Sequence, residues 1–275
     1  MGLTIQSKVT LNSGVEMPVF GLGVWQVPPG APTRKSVASA LECGYRLVDT
    51  AKLYANEEDV GAVLRERGLP RDEVFVTTKL WNSDHGYEST LKACEASLGR
   101  LGLPWVDLYL VHWPVPGARK DTWRAMERIL KEGKARAIGV SNYMVPHLEE
   151  LLASCDVVPA VNQFELSPFL YQKGLIEFCR KQGIAVEAYS PLTKGNRLGD
   201  RRLKEISARY RKTPAQLLIR WGLQHGIIEI PRSTRPDHIR ENAQVFDFEI
   251  SPEDMRVLDS FDEGVHYAWD PTGKP

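Results

Sequence analysis

Residues 106–114 read VDLYLVHWP, a run of strand-forming side chains that stops abruptly on an imidazole, an indole and a proline. Two upstream segments stop in the same way: GYRLVDT (44–50) finishes on Asp49 and Thr50, and EVFVTTKLW (73–81) carries Lys79 close to its end. Nearly continuous apolar strands fit a parallel sheet covered on both faces. In such a sheet the strand ends share one rim, so a carboxylate, an ammonium and an imidazole are brought toward one place.

Working outward, the chain alternates strand and helix. KVTLNSGVEMP reads as a hairpin around Asn12-Ser13-Gly14, and VFGLGVW as a short glycine-rich strand. TRKSVASALECG is helical and stops at Gly44; NEEDVGAVLRERG has acids in its first turn and Gly68 after its end. GYESTLKACEASLGRLG is the next helix, and DTWRAMERILKEG is expected to start on Asp121 as its cap. ARAIGVSN, PAVNQFE, IAVEAYSPL and IIEIPRS are strands. VPHLEELLASC, with Pro146 in its first turn, and FLYQKGLIEFCRKQG are helices. LKEISARYRK, TPAQLLIRWGLQHG and PDHIRENAQ are helical, and SPEDMRVLDSF adds one more helix with Ser251 as cap and Pro252 first.

Counted from FGLGV, eight strands are each followed by a helix, the pattern of a (β/α)8 TIM barrel with an N-terminal β-hairpin and one extra C-terminal helix. The expected organisation is one domain over 1–275: hairpin about 7–17, barrel about 19–245, extra helix and short tail about 251–275. An open doubly wound sheet is the alternative. It wants a GxGxxG turn after its first strand, and GLGVWQ offers only G-x-G.

Bulk composition agrees with a globular chain: 43% hydrophobic, 25% charged, net charge zero. Nothing argues for a nucleic-acid or membrane partner. Cys43, Cys94, Cys155 and Cys179 are far apart, without zinc spacing, and no metal is expected. No secretory signal or bilayer-length apolar run is visible, so a cytoplasmic protein is expected.

A barrel puts Asp49, Lys79 and His112 on its C-terminal rim, with Tyr54 just beyond on the loop after the second strand. Asp49 and Lys79 are expected to pair, because an isolated buried charge is costly. The neighbouring ammonium should lower the Tyr54 phenol toward the working pH range, making it a tuned proton donor. A neutral His112 can direct a substrate oxygen. The set suits protonation of a carbonyl oxygen, and any hydride must come from a cofactor. Each residue alone has a blander reading as cap, salt bridge or packing; four on one rim do not.

After the eighth strand, IPRSTRPDHIREN places Arg232, Arg235 and a helix N-terminus where barrels often bind phosphate. Ser233 adds a hydroxyl, and Glu241 and Asn242 can meet an adenine edge. Ser141, Asn142, Gln163, Tyr189 and Ser190 end other strands, where amides and hydroxyls can hold a carboxamide and Tyr189 can stack on a flat ring.

At this point the chain resembles the aldo-keto reductases, most of all the short 2,5-diketogluconate reductase and prostaglandin F synthase-like members. The resemblance runs from MPVFGLGVW to IRENAQVFDF and rests on GYRLVDTAKLYANEEDVG, TTKLWNSDHGYESTL, LGLPWVDLYLVHWP, ARAIGVSN, VNQFELSP, AYSPL and IPRSTRPDHIRENAQVFDFE. It implies a barrel that binds NADPH without a Rossmann fold and reduces aldehydes and ketones. By that resemblance Asp49, Tyr54, Lys79 and His112 are the catalytic tetrad, with Tyr54 as general acid. Ser141, Asn142 and Gln163 would hold the carboxamide, with Tyr189 stacked on the nicotinamide. Ser190 and Leu192 would follow the pyrophosphate. Val24, Trp25, Asp49, Arg232, Ser233, Thr234, His238, Glu241 and Asn242 complete the cofactor set. Trp25, Trp81 and Trp113 would wall the substrate pocket beside Tyr54 and His112.

Two departures stand out. Arg232 replaces a usual Lys, and His238 replaces a usual Arg that contacts the adenosine end. NADPH is therefore expected, with NADH tolerated. The short tail predicts an open pocket. A small carbonyl substrate and a monomer are expected. Two other classes stay open: a Schiff-base aldolase using Lys79, and an NADPH-binding regulatory subunit with little turnover.

Overall fold

The structure, a computed structural model, describes residues 2–272; residue 1 and residues 273–275 of the expected tail lie outside it. The chain begins with an antiparallel hairpin, β1 (Lys8–Thr10) and β2 (Glu16–Pro18), turning through Gly14. Eight parallel strands follow, ordered in space as in the chain. They are β3 (Leu22–Gly23), β4 (Leu47–Asp49), β5 (Phe75–Leu80) and β6 (Val106–Val111), then β7 (Ala135–Ser141), β8 (Val161–Glu165), β9 (Ala185–Tyr189) and β10 (Ile228–Glu229). A bridge between Phe20 and Glu229 joins the first strand to the last. Gly21 N donates to Glu229 O at 2.9 Å and Glu229 N to Val19 O at 3.0 Å, so the sheet closes into a barrel. Gly23 permits the closure: a Cβ there would lie 2.8 Å from Ile230 O.

The helices are α1 (Ala31–Glu42), α2 (Glu57–Arg67), α3 (Tyr87–Leu101), α4 (Arg119–Lys131) and α5 (Val145–Leu152), then α6 (Lys173–Lys181), α7 (Arg201–Arg209), α8 (Pro214–Gln224), α9 (Pro236–Ala243) and α10 (Pro252–Asp259). Two of them, α7 and α8, follow β9, and α10 is the extra C-terminal helix.

Strand side chains alternate between two cores. Leu47, Phe75, Leu108, Leu110, Val161 and Ile228 fill the ring, together with Leu11 and Met17 from the hairpin, which stops its N-terminal end. Val48, Val76, Tyr109, Val111 and Phe164 face outward under the helices. The strand at 106–111 has no polar face because both faces are buried. Asp107 is the exception, with its carboxylate taken up by Val76 N, Arg71 and Arg136 at 2.9, 2.6 and 3.3 Å.

Some boundaries differ from the sequence reading. Helix α4 does not start on Asp121: its cap is Ala118, which makes no side-chain cap bond, and Asp121 sits inside the first turn. Segment 169–172 is not helical. Gln172 has φ 45° and its Nε2 donates to Glu165 O at 2.8 Å, so α6 begins only at Lys173. Ser251 does cap α10, accepting from Asp254 N at 3.1 Å.

Candidate active site

Inward positions near the strand ends carry the polar groups. Parity fixes which side chains these are: Asp49 lies two residues past Leu47, Lys79 four past Phe75, and His112 two past Leu110. Tyr54 ends a one-turn 3-10 helix, Lys52–Tyr54. Asn56 holds that loop by donating to Val24 O and Val27 O at 3.0 and 3.2 Å and accepting from Thr50 Oγ1 at 2.7 Å.

The fully buried Lys79 donates to Asp49 Oδ1 at 2.5 Å, to Thr50 O at 2.9 Å and to the Tyr54 hydroxyl at 3.1 Å. An ammonium has three hydrogens, and all three are engaged. The Tyr54 oxygen therefore accepts from Lys79, and its own hydrogen is left to point elsewhere. His112 meets the Tyr54 and Trp81 rings edge-on, at centroid distances of 5.7 and 5.2 Å.

The electrostatics correct one expectation. Burial first, then the carboxylates of Asp49 and Glu187, hold the Tyr54 phenol well above its ordinary value. Lys79 does not bring it down to the working range, because the cost of desolvating a phenolate outweighs one ammonium already shared with Asp49. Tyr54 is thus a protonated donor at neutral pH. Burial raises the Asp49 carboxyl against the pull of Lys79. Burial, with Lys79 beside it, drives His112 well below its ordinary value, so the imidazole is neutral.

These groups open on a cavity of about 730 Å³, the size of a small-molecule site. Asp49, Tyr54 and His112 line it; Lys79 lies beneath its floor. Trp25, Trp81 and Trp113 form walls, and Ser141, Asn142, Gln163 and Tyr189 form a polar shelf. Ser190, Leu192, Arg232, Ser233, Thr234 and His238 line its extension. Val24, Glu241 and Asn242 lie outside the lining. Val24 is wholly buried, and Glu241 accepts from Thr213 Oγ1 at 2.7 Å. Arg235 is held by Asp237 at 2.6 Å, whereas Arg232 has no carboxylate within ion-pair distance among the described residues.

The shelf is bonded throughout. Ser141 Oγ donates to Gln163 O at 2.8 Å; Asn142 Nδ2 donates to His112 O at 3.0 Å and Ser141 Oγ at 3.1 Å. Tyr189 OH donates to Asn142 Oδ1 at 2.8 Å, and Gln163 Nε2 donates to Asp49 Oδ2 at 2.9 Å and Glu187 Oε2 at 2.7 Å. What the shelf presents is largely acceptor oxygen beside a flat phenol ring, which fits a carboxamide-bearing heteroaromatic. The guanidinium of Arg232, without a carboxylate partner among the described residues, fits a phosphate. The residues present thus suit a phosphorylated nicotinamide dinucleotide.

Several lining groups escaped the sequence reading. Lys194, on the loop after β9, puts its Nζ 4.5 Å over the Trp25 ring, and both side chains line the cavity. Tyr267, Ala268 and Trp269 of the tail also line it. Glu165 anchors them by accepting from Tyr267 N at 2.9 Å and Ala268 N at 3.0 Å, and Trp269 packs at 5.7 Å from Trp113. The aromatic pair in HYAWD was the available signal.

The chain is similar to known proteins over most of its length. The profile of the Aldo/keto reductase family matches residues 20–263. Glyoxal reductase of Bacillus subtilis is 50% identical over 263 residues, covering 96% of this chain and 95% of that protein. The 9,11-endoperoxide prostaglandin H2 reductase of Trypanosoma cruzi is 50% identical over 266 residues, 96% of this chain and 94% of its own. A variant of Gox0644 solved in complex with NADPH superposes with a TM-score of 0.92 at 43% identity, covering 98% of this chain and 99% of that one.

Proposed function

The chain belongs to the aldo/keto reductase family of NAD(P)H-dependent oxidoreductases, and from that premise we propose that it reduces small aldehydes and ketones to alcohols with NADPH, Tyr54 serving as general acid. The observation that carries this is the engagement of all three Lys79 hydrogens, one of them on the Tyr54 oxygen. It leaves the phenol hydrogen free for a substrate oxygen and stabilises the phenolate left behind. Neutral His112, lining the same cavity, directs that oxygen toward Tyr54. Ser141, Asn142, Gln163 and Tyr189 would hold the nicotinamide end, and Arg232 the 2′-phosphate. When bound, the cofactor supplies the hydride. The tryptophans and Trp269 exclude water and set the width of the substrate pocket.

The same three bonds weigh against an aldolase. A Schiff base needs a neutral, accessible amine, whereas Lys79 is fully buried and bonded to Asp49. A regulatory role with little turnover is the remaining competitor. Substitution Tyr54→Phe separates the two: kcat should fall on the order of 10²- to 10⁴-fold across a carbonyl panel while the NADPH dissociation constant stays near that of the parent. Unchanged turnover removes Tyr54 as the acid. A parent protein that binds NADPH but turns over no carbonyl favours the regulatory reading.

A further inference from the structure

One buried carboxyl beneath the shelf has no part in the chemistry just described. Glu187 lies in β9, registered against Gln163 of β8, and is wholly buried. It does not line the cavity, and it meets Gln163 across the strand pair. Gln163 Nε2 lies 2.9 Å from Asp49 Oδ2 and 2.7 Å from Glu187 Oε2, so its amide bridges two carboxyls from separate strands. A primary amide has two N–H hydrogens, and both are committed here.

Amide orientation follows from its partners. Reversed, Gln163 would give up both bonds and set its carbonyl oxygen against the Asp49 carboxylate that Lys79 holds. Gln163 can therefore offer the cavity only Oε1. Asn142 is constrained in the same sense, with both Nδ2 hydrogens on His112 O and Ser141 Oγ. One of the Glu187 oxygens remains an acceptor whether or not the group carries a proton, so the arrangement does not need its charge.

We infer that Glu187 is a positioning residue: together with Asp49 it locks the Gln163 amide so that its carbonyl oxygen receives the carboxamide N–H of the nicotinamide. The inference rests on the NADPH reading and says which end of that cofactor Glu187 governs. Leucine at this position removes one acceptor and leaves the amide held by Asp49 alone, so it is loosened. Glutamine retains an acceptor oxygen and keeps the lock.

The test compares dissociation constants for NADP+ and its 3-acetylpyridine analogue, in which a methyl group replaces the amide NH2, read by quenching of tryptophan fluorescence. The parent should prefer NADP+ by roughly 5- to 10-fold, the worth of one net hydrogen bond. In Glu187→Leu that preference should shrink to about 2-fold or less, with the analogue's own affinity kept within about 2-fold. In Glu187→Gln it should persist. If Glu187→Leu fails to fold, Glu187→Ala provides the same comparison without added bulk. Equal weakening of both dinucleotides, or an undiminished preference, overturns the inference and leaves Glu187 a packing residue. A parent that binds neither dinucleotide overturns the cofactor reading itself, and this inference with it.

Discussion

Lys79 holds a carboxylate, a backbone carbonyl and a phenol at once, and the chemistry of the site follows from how few donors are left over. Arg232 is the opposite case: a cation on the cavity wall with no carboxylate partner among the described residues. A charge-assisted bond contributes about 1.5–3 kcal/mol, which is roughly 10- to 150-fold in affinity. Substitution Arg232→Ala should therefore lower kcat/KM for NADPH on the order of 10- to 100-fold while leaving NADH within about 2-fold. Comparable losses for both cofactors would place the 2′-phosphate elsewhere. Asp49, Lys79 and His112 were legible because each ends an otherwise apolar strand. Glu187 was not: it lies inside IAVEAYSPL, where one acid looks like a tolerated exception. Parity could have found it, since it stands two residues before Tyr189 and so faces the same interior.

At the scale of elements, helix packing sets limits that propensity does not show. Gly61 of α2 faces α3, and a Cβ there would come within 1.8 Å of Leu101 O. In an exposed helix Gly→Ala stabilises by up to about 1 kcal/mol. Here the sign reverses: Gly61→Ala should cost about 1–3 kcal/mol, lowering Tm by roughly 2–4 °C per kcal/mol in a chain of this size. A thermal melt at or above the parent's Tm would mean that the two helices separate freely. Element types were readable from apolar periodicity, whereas element edges were not. Asp121 looked like a cap because it precedes an apolar-periodic run, yet the helix extends one turn further back, where Arg119 pairs with Glu150. The closing strands β3 and β10 are only two residues long, and Pro231, which has no N–H, can only accept at the seam, from Gly23 N at 3.4 Å.

For the molecule as a whole, buried acids make stability depend on pH. Burial and Asp49 push Glu187 up to about 8, and burial with Glu187 holds Glu229 well above its ordinary value. Glu229 Oε2 has no partner among the described residues. An acid whose pKa is raised by folding favours the fold below its unfolded value, near ~4.3, and that contribution is lost as pH rises through the folded value. The share contributed by these acids should therefore decline from about pH 5 to pH 8.5, opposed below about pH 6.5 by His112 and His85, which are buried neutral. Substitution Glu229→Met keeps the side-chain length and removes the acid. It should raise stability by about 1–3 kcal/mol at pH 8.5, with less gain at pH 5. Melts that shift equally at both values would mean that folding leaves the Glu229 carboxyl at its unfolded pKa. Barrel, hairpin and final helix were legible because their alternation spans the chain. The tail's place on the cavity was not, because it depends on Glu165, about a hundred residues upstream. The seam between Val19–Gly23 and Glu229–Pro231 joins the first stave of the ring to the last. On the ribosome, that joint waits until most of the polypeptide has emerged. Until then the nascent sheet has two bare edges, each able to recruit a stranger's strand. The speed of translation through the final helices thus decides how long each newborn copy stays vulnerable.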